Sequence, residues 1–354
     1  MKQKKVLYCV LNWGIGHATR SAVVISKLLQ QQFEVEIASD GEALKVLRRD
    51  FSHLAFYELP AYHIQYARHG HMFFTMLFQL NKISKSIKAE QAAVNDLCTS
   101  NAYTCIISDH RYGCYHPRVH SIFLSHQLQP RMSSGLAFLQ ALFNRLHRQQ
   151  LKHFNSFWVP DFPDEQKLSG ELSAFKSENL RYIGLLSRLP QQVKAVKRFK
   201  YIALLSGPEP QRKILEDKLR KQLMNLQQAT LLIRGKAGED TEIETNGLYS
   251  EVGYLEGKVL AQLLLGAELI IARPGYSTIM DLAALGKSAV FIPTPGQTEQ
   301  QYLAKILKQK GIAHYVEQHN FDLKQALIQS ANFTGFNIAA DYNLLTEAIK
   351  QIPA

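Results

Sequence analysis

The fold of this chain is decided by residues 272–304, which read ARPGYSTIMDLAALGKSAVFIPTPGQTEQQYLA. An apolar run at residues 268–272 leads into a glycine turn, a helical pattern follows, and a second apolar run occupies residues 289–292. This order of strand, turn, helix and strand is typical of a parallel sheet covered by helices. The backbone N–H groups that open such a helix suit an anionic ligand.

Apolar runs alternate with helical patterns along all 354 residues, and each half of the chain opens in the same way. Residues 6–21 (VLYCVLNWGIGHATRS) and residues 201–216 (YIALLSGPEPQRKILE) both run from a strand through a glycine turn into a helix. We therefore predict an α/β fold of two doubly wound, Rossmann-like domains that face each other across a cleft. The predicted parts are an N-terminal domain, a linker, a C-terminal domain and a final helix that packs back on the N-terminal domain: residues 1–187, 188–200, 201–336 and 337–354.

The net charge of +11 is carried entirely by the N-terminal half of the chain. Up to residue 200 there are 26 lysines and arginines against 14 aspartates and glutamates, whereas the remainder has 15 against 16. This asymmetry favours an anionic partner, namely phosphates, an acidic membrane surface or nucleic acid. A basic surface without a specific partner has the same signature.

The cysteines and the N-terminus indicate a cytoplasmic protein. The four cysteines show neither a Cys-x-x-Cys pair nor histidines at zinc-binding spacing, which is typical of reduced thiols. The apolar run Val6–Leu11 leads directly into a glycine turn, so we interpret it as a first strand rather than a signal peptide. No apolar run reaches the ~18 residues that a membrane-spanning helix needs.

A candidate catalytic residue follows the first strand, in the loop Asn12–His17. Gly14 and Gly16 are candidate donor-binding residues, because glycines allow a ligand to approach the backbone closely. Thr19 replaces the third glycine of a dinucleotide-binding motif. His17 stands where a strand gives way to a helix, so we predict that it points into the cleft as a catalytic base. A structural histidine that caps the helix is the alternative.

Asp109 follows the apolar run Cys105–Ile107 and is the second candidate for the base. The sequence leaves three roles open for its carboxylate: to deprotonate an acceptor, to orient the imidazole of His17, or to cap a helix. His126 follows another predicted strand and is a weaker third candidate.

The second half of the chain supplies groups for an anion, a diol and a sugar. Ser206 and Gly207 offer a hydroxyl and backbone N–H groups to phosphate, and Arg234 offers a positive charge. Asp281 is a carboxylate that can hold vicinal hydroxyls, and the polar triplet Glu299–Gln301 suits a sugar. No Asp-x-Asp motif occurs in the chain, so the sequence suggests no metal-binding carboxylate pair.

Residues 273–301 resemble the donor-binding stretch of family 28 glycosyltransferases, which have the GT-B fold. The resemblance implies that the turn binds near the diphosphate of a UDP-sugar, that the acidic residue binds the ribose, and that the Gln-Gln pair binds the donor sugar. The matching positions are Arg273, Gly275, Thr278, Asp281, Gln300 and Gln301, and Ser277 and Glu299 lie within the same segments. The family usually has Glu where this chain has Asp281, and Asn12 and Trp13 replace the leading glycines of its first loop.

The same resemblance implies an inverting glycosyltransferase that uses the UDP-sugar as co-substrate and needs neither a metal nor another cofactor. A base in the N-terminal, acceptor-side domain deprotonates a hydroxyl, whose oxygen attacks the anomeric carbon while UDP leaves. We expect a donor like UDP-N-acetylglucosamine and a hydroxyl acceptor that is lipid-linked or part of the cell envelope. Two alternatives stay open: a UDP-sugar epimerase of the GT-B fold, and a non-catalytic protein that binds nucleic acid or another polyanion. We expect no nucleic acid as partner.

Two segments of the basic half mix large apolar residues with positive charges, residues 66–78 and residues 135–154. This pattern suits a peripheral membrane surface, where apolar side chains enter the bilayer and cations meet anionic headgroups. We therefore expect attachment to the cytoplasmic face of a membrane. Two core helices with solvated basic faces are the alternative.

Overall fold

The computed structural model describes residues 3–62, 72–132, 138–190, 192–236, 238–338 and 343–353. These residues form two compact units, each with its own seven-stranded sheet. The first unit comprises the described residues up to 186 together with residues 343–353, and the second comprises residues 187–338. The α/β fold of two doubly wound domains is confirmed, and the cleft between them stays a prediction.

The first unit holds strands β1 to β7 at Lys5–Val10, Glu34–Ser39, Ala55–Glu58, Cys105–Asp109, His120–Leu124, Ser156–Val159 and Leu180–Tyr182. All of them run parallel, in the order β3-β2-β1-β4-β5-β6-β7. Its helices, numbered in chain order, are α1 (Ile15–Gln30), α2 (Gly41–Asp50), α3 (Met72–Ser100), α4 (Gln140–Leu151) and α10 (Asn343–Lys350). Helix α10 lies within the helix predicted at residues 337–354, of which residues 339–342 and 354 are outside the described part of the chain, and it packs on α1 and β7.

Strand β1 lies at the centre of this sheet because its residues are apolar on both faces. Val6–Val10 are fully buried, as expected of a parallel strand covered by helices on both sides. Strand β4 pairs with β1, and Val10 lies directly beside Asp109 in the register. The carboxyl ends of the two strands therefore meet at one edge of the sheet, close to the start of α1.

The second unit holds strands β8 to β14 at Tyr201–Leu204, Thr230–Ile233, Glu244–Asn246, Tyr249–Val252, Leu269–Ala272, Ala289–Phe291 and His314–Tyr315. Their order is β10-β11-β9-β8-β12-β13-β14, and β10 alone among them runs antiparallel to its neighbour. The helices are α5 (Gln211–Met224), α6 (Gly257–Gly266), α7 (Tyr276–Ala284), α8 (Thr298–Gln309) and α9 (Leu323–Ser330). The loops after β8, β9, β12 and β13 all leave the same edge of the sheet.

The described helices include none with the length and apolar character needed to cross a membrane. Of the two predicted membrane segments, residues 66–71 and 135–137 lie outside the described part of the chain. Residues 138–154 are described and contain α4. The described residues of the predicted linker 188–200 form neither helix nor strand.

Candidate active site

The structure brings His17 and Asp109 into direct contact. His17 lies in the first turn of α1, and Asp109 is the last residue of β4. Because β1 and β4 are neighbours in the sheet, the two side chains meet at its carboxyl edge, and Nδ1 of His17 is 2.9 Å from Oδ1 of Asp109. An imidazole oriented by a carboxylate in this way can act as a general base through its other nitrogen.

The carboxylate of Asp109 is enclosed by donors and has no exposed surface. Arg20 Nε donates to Oδ2 over 2.9 Å, Arg20 Nη2 donates to Oδ1, and Ser21 Oγ donates to Oδ2 over 2.8 Å. Burial on its own would raise the pKa of Asp109, but the positive charge of Arg20 and the contact with His17 hold it well below the usual range. Asp109 is therefore ionised and inaccessible, which suits an orienting group and not a base that touches substrate.

The imidazole of His17 is the member of the pair that keeps an exposed fraction, 15% of its side chain. Burial lowers the pKa of His17, and the charge of Arg20 lowers it further, so the ring is neutral near pH 7. Arg20 Nη2 also lies 2.9 Å from Nδ1, so this nitrogen has a carboxylate and a cation as neighbours. When Nδ1 donates its proton to Asp109, Nε2 carries the lone pair that a base needs.

Two further histidines surround this pair. The buried His126 has its Nδ1 3.2 Å from Arg20 Nη1, so it supports the arginine from the side away from Asp109. The ring of His110 packs edge-on against His17 at 5.9 Å, and its Nδ1 lies 2.8 Å from Ser125 Oγ. Burial holds the pKa of His110 well below its usual value, so this ring adds packing and no charge.

The glycines of the first loop lie at the entrance to α1. Gly14 is exposed with φ 82°, a left-handed conformation that favours glycine, and Gly16 lies inside the helix. Asn12 fixes this loop, because its Nδ2 donates to Asp40 and its Oδ1 accepts from the backbone N–H of Ala43. The loop has a defined shape that leaves the backbone near Gly14 open.

In the second unit, the loops after β8 and β9 are in contact. A side chain at Gly235 would begin 2.0 Å from the carbonyl oxygen of Leu205, so only glycine permits this approach. Ser206 and Gly207 follow directly, and Gly207 has φ 104°. The predicted phosphate-binding residues at the ends of these two strands are therefore neighbours.

The positive charges at the end of β9 are paired in this structure. Arg234 Nη2 lies 3.0 Å from Glu239 Oε2, and Lys236 Nζ lies 2.8 Å from Glu239 Oε1. One carboxylate thus bridges two cations, in the way that a phosphate group would.

Arg273 is buried, and its guanidinium joins several loops at the carboxyl edge of the sheet. Nη1 donates to the carbonyls of Ile292 and Pro293, and Nη2 donates to the carbonyl of Gln211 and to Gln318 Oε1. Burial lowers the pKa of Arg273 to about 10, so it remains charged near pH 7. In this position, Arg273 is better placed to supply a positive charge beneath the site and to hold the loops in place than to contact a ligand directly.

Helix α7 presents its first turn beside these loops. Gly275, which has no side chain to cap the helix, stands at the N-cap, and Ser277 and Thr278 are partly exposed. Asp281 follows one turn later and accepts a hydrogen bond of 2.6 Å from Ser187 Oγ. Burial raises the pKa of Asp281 to about 6. Among the described residues, no hydrogen bond reaches its second oxygen.

The polar triplet divides into one structural residue and two candidates for ligand contact. Gln300 is buried, and its Oε1 accepts from the backbone N–H of Thr294 over 2.8 Å. Glu299 and Gln301 are partly exposed in the first turn of α8. Gln300 therefore holds the loop between β13 and α8, and its neighbours are better placed for a sugar.

Three functional candidates were missed by the sequence analysis. Arg20 could have been found, because it lies three residues after His17 and so on the same face of a helix. Ser187 stands at the end of a predicted domain, and nothing in the sequence pointed to a contact with Asp281. Thr294 follows a predicted strand, but only the structure shows that its hydroxyl is buried.

Two α/β units with polar groups at the carboxyl ends of parallel strands define the class of protein, the GT-B fold. Solved structures share this fold over almost the whole chain. The kitacinnamycin glycosyltransferase has a TM-score of 0.66 at 12% identity, covering 99% of this chain and 95% of that one. MurG of Acinetobacter baumannii has a TM-score of 0.59 at 17% identity, covering 98% and 95%.

Residues 210–340 match the sequence model of the glycosyltransferase family 28 C-terminal domain, and residues 4–124 match that of glycosyl transferase family 1. A relative from Histophilus somni (strain 129Pt) is 42% identical over 67 residues, which are 19% of this chain and 19% of that protein. It is named UDP-N-acetylglucosamine--N-acetylmuramyl-(pentapeptide) pyrophosphoryl-undecaprenol N-acetylglucosamine transferase. The predicted resemblance to family 28 glycosyltransferases of the GT-B fold is confirmed.

Proposed function

We propose that this protein is an inverting glycosyltransferase that transfers a sugar from a UDP-sugar to a hydroxyl group of an acceptor. The contact between His17 and Asp109 carries the proposal, because it provides an oriented, neutral imidazole at the carboxyl edge of the first sheet. The match of residues 210–340 to the family 28 C-terminal domain supports a UDP-sugar as the donor.

In the proposed reaction, His17 Nδ1–H donates to Asp109, and Nε2 takes the proton of the acceptor hydroxyl. The acceptor oxygen forms a bond to the anomeric carbon from the face opposite the diphosphate. The bond between that carbon and the diphosphate oxygen breaks, and UDP leaves with its electron pair. Asp109 stabilises the imidazolium that forms, while Arg20 and Ser21 hold the carboxylate in place.

The second unit binds the donor in this proposal. Asp281 takes the ribose hydroxyls, and Glu299 and Gln301 take the sugar. The diphosphate meets the strand-end loops and the first turn of α7, at Ser206, Gly207, Gly275, Ser277 and Thr278. The positive charges of Arg234 and Arg273 offset the charge that develops on the leaving diphosphate, so we propose a reaction that needs no metal ion.

We further propose a donor like UDP-N-acetylglucosamine and a lipid-linked acceptor, reached from the cytoplasmic face of a membrane. The name of the Histophilus somni relative, which contains a UDP-N-acetylglucosamine donor and a pyrophosphoryl-undecaprenol acceptor, supports both choices. Helix α4 supports membrane attachment, since its Leu142 and Leu146 are 56% and 50% exposed and their spacing of four places them along one side. Phe138, which lies two residues before the helix, is 77% exposed. The exposed Arg145 and Lys152 lie on the adjoining side and suit anionic headgroups.

A donor screen tests the proposal. The protein is incubated with a panel of UDP-sugars, with and without an undecaprenyl-diphosphate-linked sugar, and UDP and sugar products are followed by mass spectrometry. We expect UDP release that depends on the acceptor, persists in EDTA and gives a product of inverted anomeric configuration. Failure to bind UDP at millimolar concentration contradicts the proposal, and an epimerised sugar formed without acceptor supports the epimerase instead.

A further inference from the structure

Arg273 is a buried cation without a negative partner in the described part of the chain. Its side chain is 1% exposed, and the hydrogen bonds of its guanidinium go to three carbonyl groups and one amide oxygen, all of them neutral. A buried charge that is only partly compensated is unfavourable unless an anion approaches it. The carboxyl edge of the second sheet therefore favours the binding of an anion.

A buried hydroxyl follows the two carbonyls to which this cation donates. Thr294 directly follows Ile292 and Pro293, whose carbonyls accept from Arg273. Its backbone N–H is fixed by Gln300, but its Oγ1 has no hydrogen-bond partner among the described residues, although the residue is only 2% exposed. A buried hydroxyl without a partner destabilises a fold, so its retention calls for an explanation.

Gly207 lies close to this hydroxyl. A side chain at Gly207 would begin 3.8 Å from Thr294 Oγ1, so the loop after β8 lies against the loop after β13. Glycine at φ 104° adopts several backbone conformations at low cost, and this lets the loop move away from the hydroxyl. Movement of Gly207 would open a position bordered by a hydroxyl donor and backed by the charge of Arg273.

We propose that Thr294 is a binding residue whose hydroxyl donates to a phosphate oxygen of a nucleoside diphosphate when the Gly207 loop moves aside. This inference rests on the proposed function, which supplies the nucleotide. The unpaired hydroxyl is destabilising in the free protein, and the phosphate oxygen supplies its missing partner in the complex. The charge of Arg273 selects an anionic ligand for this position.

The substitution Thr294→Val tests the role of the hydroxyl, because valine has nearly the same shape. Thr230→Val is the matched control: Thr230 is also fully buried with an unpartnered Oγ1, but it begins β9 at the opposite edge of the same sheet. Affinities for UDP and for uridine are measured by isothermal titration, together with thermal unfolding of each free protein. Thr294→Ser retains the hydroxyl and should restore binding.

We expect Thr294→Val to lower the affinity for UDP about tenfold, because one hydrogen bond to a charged group is lost. The affinity for uridine should stay unchanged. The free variant should unfold at the same or a higher temperature than the wild type, and Thr230→Val should leave both affinities unchanged. Equal UDP affinity in Thr294→Val and wild type overturns the inference while leaving the proposed function intact. Wild-type protein that binds neither UDP nor uridine contradicts the proposed function itself.

Discussion

Nδ1 of His17 lies 2.9 Å from Oδ1 of Asp109, a carboxylate without exposed surface. The two residues of this contact have different roles. Asp109 cannot meet a substrate, whereas the imidazole of His17 keeps a path to solvent and a pKa that burial lowers from its usual value. Of the roles that the sequence left open for Asp109, the geometry supports orientation of the imidazole.

The substitution His17→Ala should therefore lower kcat by about 10²–10⁴-fold, the usual worth of a general base. UDP affinity should stay unchanged, because the side chains proposed to bind the ribose and the diphosphate belong to the second unit. The check is turnover by UDP release alongside isothermal titration with UDP. His53→Ala, an exposed histidine of the same unit, is the control and should retain full activity. Normal turnover in His17→Ala would exclude this residue as the base.

The ion pair between Arg20 and Asp109 should make the stability of the protein depend on pH in the acidic range. The folded pKa of Asp109 is held well below its value in an unfolded chain, about 3.9, so the stabilisation is present above that pH and is lost as the pH falls further. Arg20→Gln should cost about 3–5 kcal/mol near pH 7, because it leaves a buried carboxylate unpaired.

Urea unfolding near pH 7 and near pH 3 measures this effect. The difference between wild type and Arg20→Gln should shrink in acid, and a difference that is the same at both pH values would contradict the assignment. Arg49→Gln removes an arginine whose pair with Asp50 is exposed, so it should change stability little at either pH.

Asp281 should make both donor binding and stability depend on pH. Its effect on stability has the opposite sign to that of Asp109. Burial raises its pKa to about 6, so the folded state holds the proton more tightly than the unfolded state, and stability falls as the pH rises from about 4 towards 6. Asp281→Asn should therefore raise the free energy of unfolding near pH 8 by up to about 2 kcal/mol and lower the affinity for UDP.

Thermal unfolding and UDP titration at pH 5 and pH 8 provide the measurement. Wild-type UDP affinity should be higher at pH 8, where the carboxylate is ionised, and the gain from pH 5 to pH 8 should be smaller in Asp281→Asn, in which only the terminal phosphate of UDP titrates over this range. A variant that is less stable at pH 8 and binds UDP normally would show that the carboxylate serves the fold and not the ribose.

The fold and the candidate pair could be read from the sequence because both depend on local patterns. Buried parallel strands are continuous apolar runs, and residues that follow such runs share one edge of a sheet, which placed His17 and Asp109 together before their contact was known.

What the sequence could not supply was the partner of each polar group. Arg273 and Gln300 match a motif, yet the structure commits both side chains to neighbouring loops, and no pattern reveals which member of a polar pair points inward. The contact between Ser187 and Asp281 joins residues far apart in the chain, so only tertiary structure can reveal it.

Glu239 should compete with the diphosphate for Arg234 and Lys236, since its carboxylate bridges both cations in the free protein. Glu239→Gln should raise UDP affinity by about threefold, as for the loss of one partly exposed ion pair, and leave uridine affinity unchanged. Asp240→Asn, at the exposed neighbouring residue, is the control. Unchanged or weaker UDP binding in Glu239→Gln would show that these cations do not meet the diphosphate.

Helix α4 should attach the protein to anionic membranes through its exposed apolar side. Leu142→Asp places a negative charge among side chains that would enter the bilayer, so binding should fall sharply, whereas Arg145→Gln should weaken it by about 1 kcal/mol, the value of one cation near the surface. Flotation with phosphatidylserine vesicles at low and high salt measures both effects. Ile328→Asp is the control, because Ile328 is 74% exposed and belongs to the second unit, outside the basic half of the sequence. Equal flotation of Leu142→Asp and wild type, or no flotation of the wild type at low salt, would remove the membrane from the proposed function.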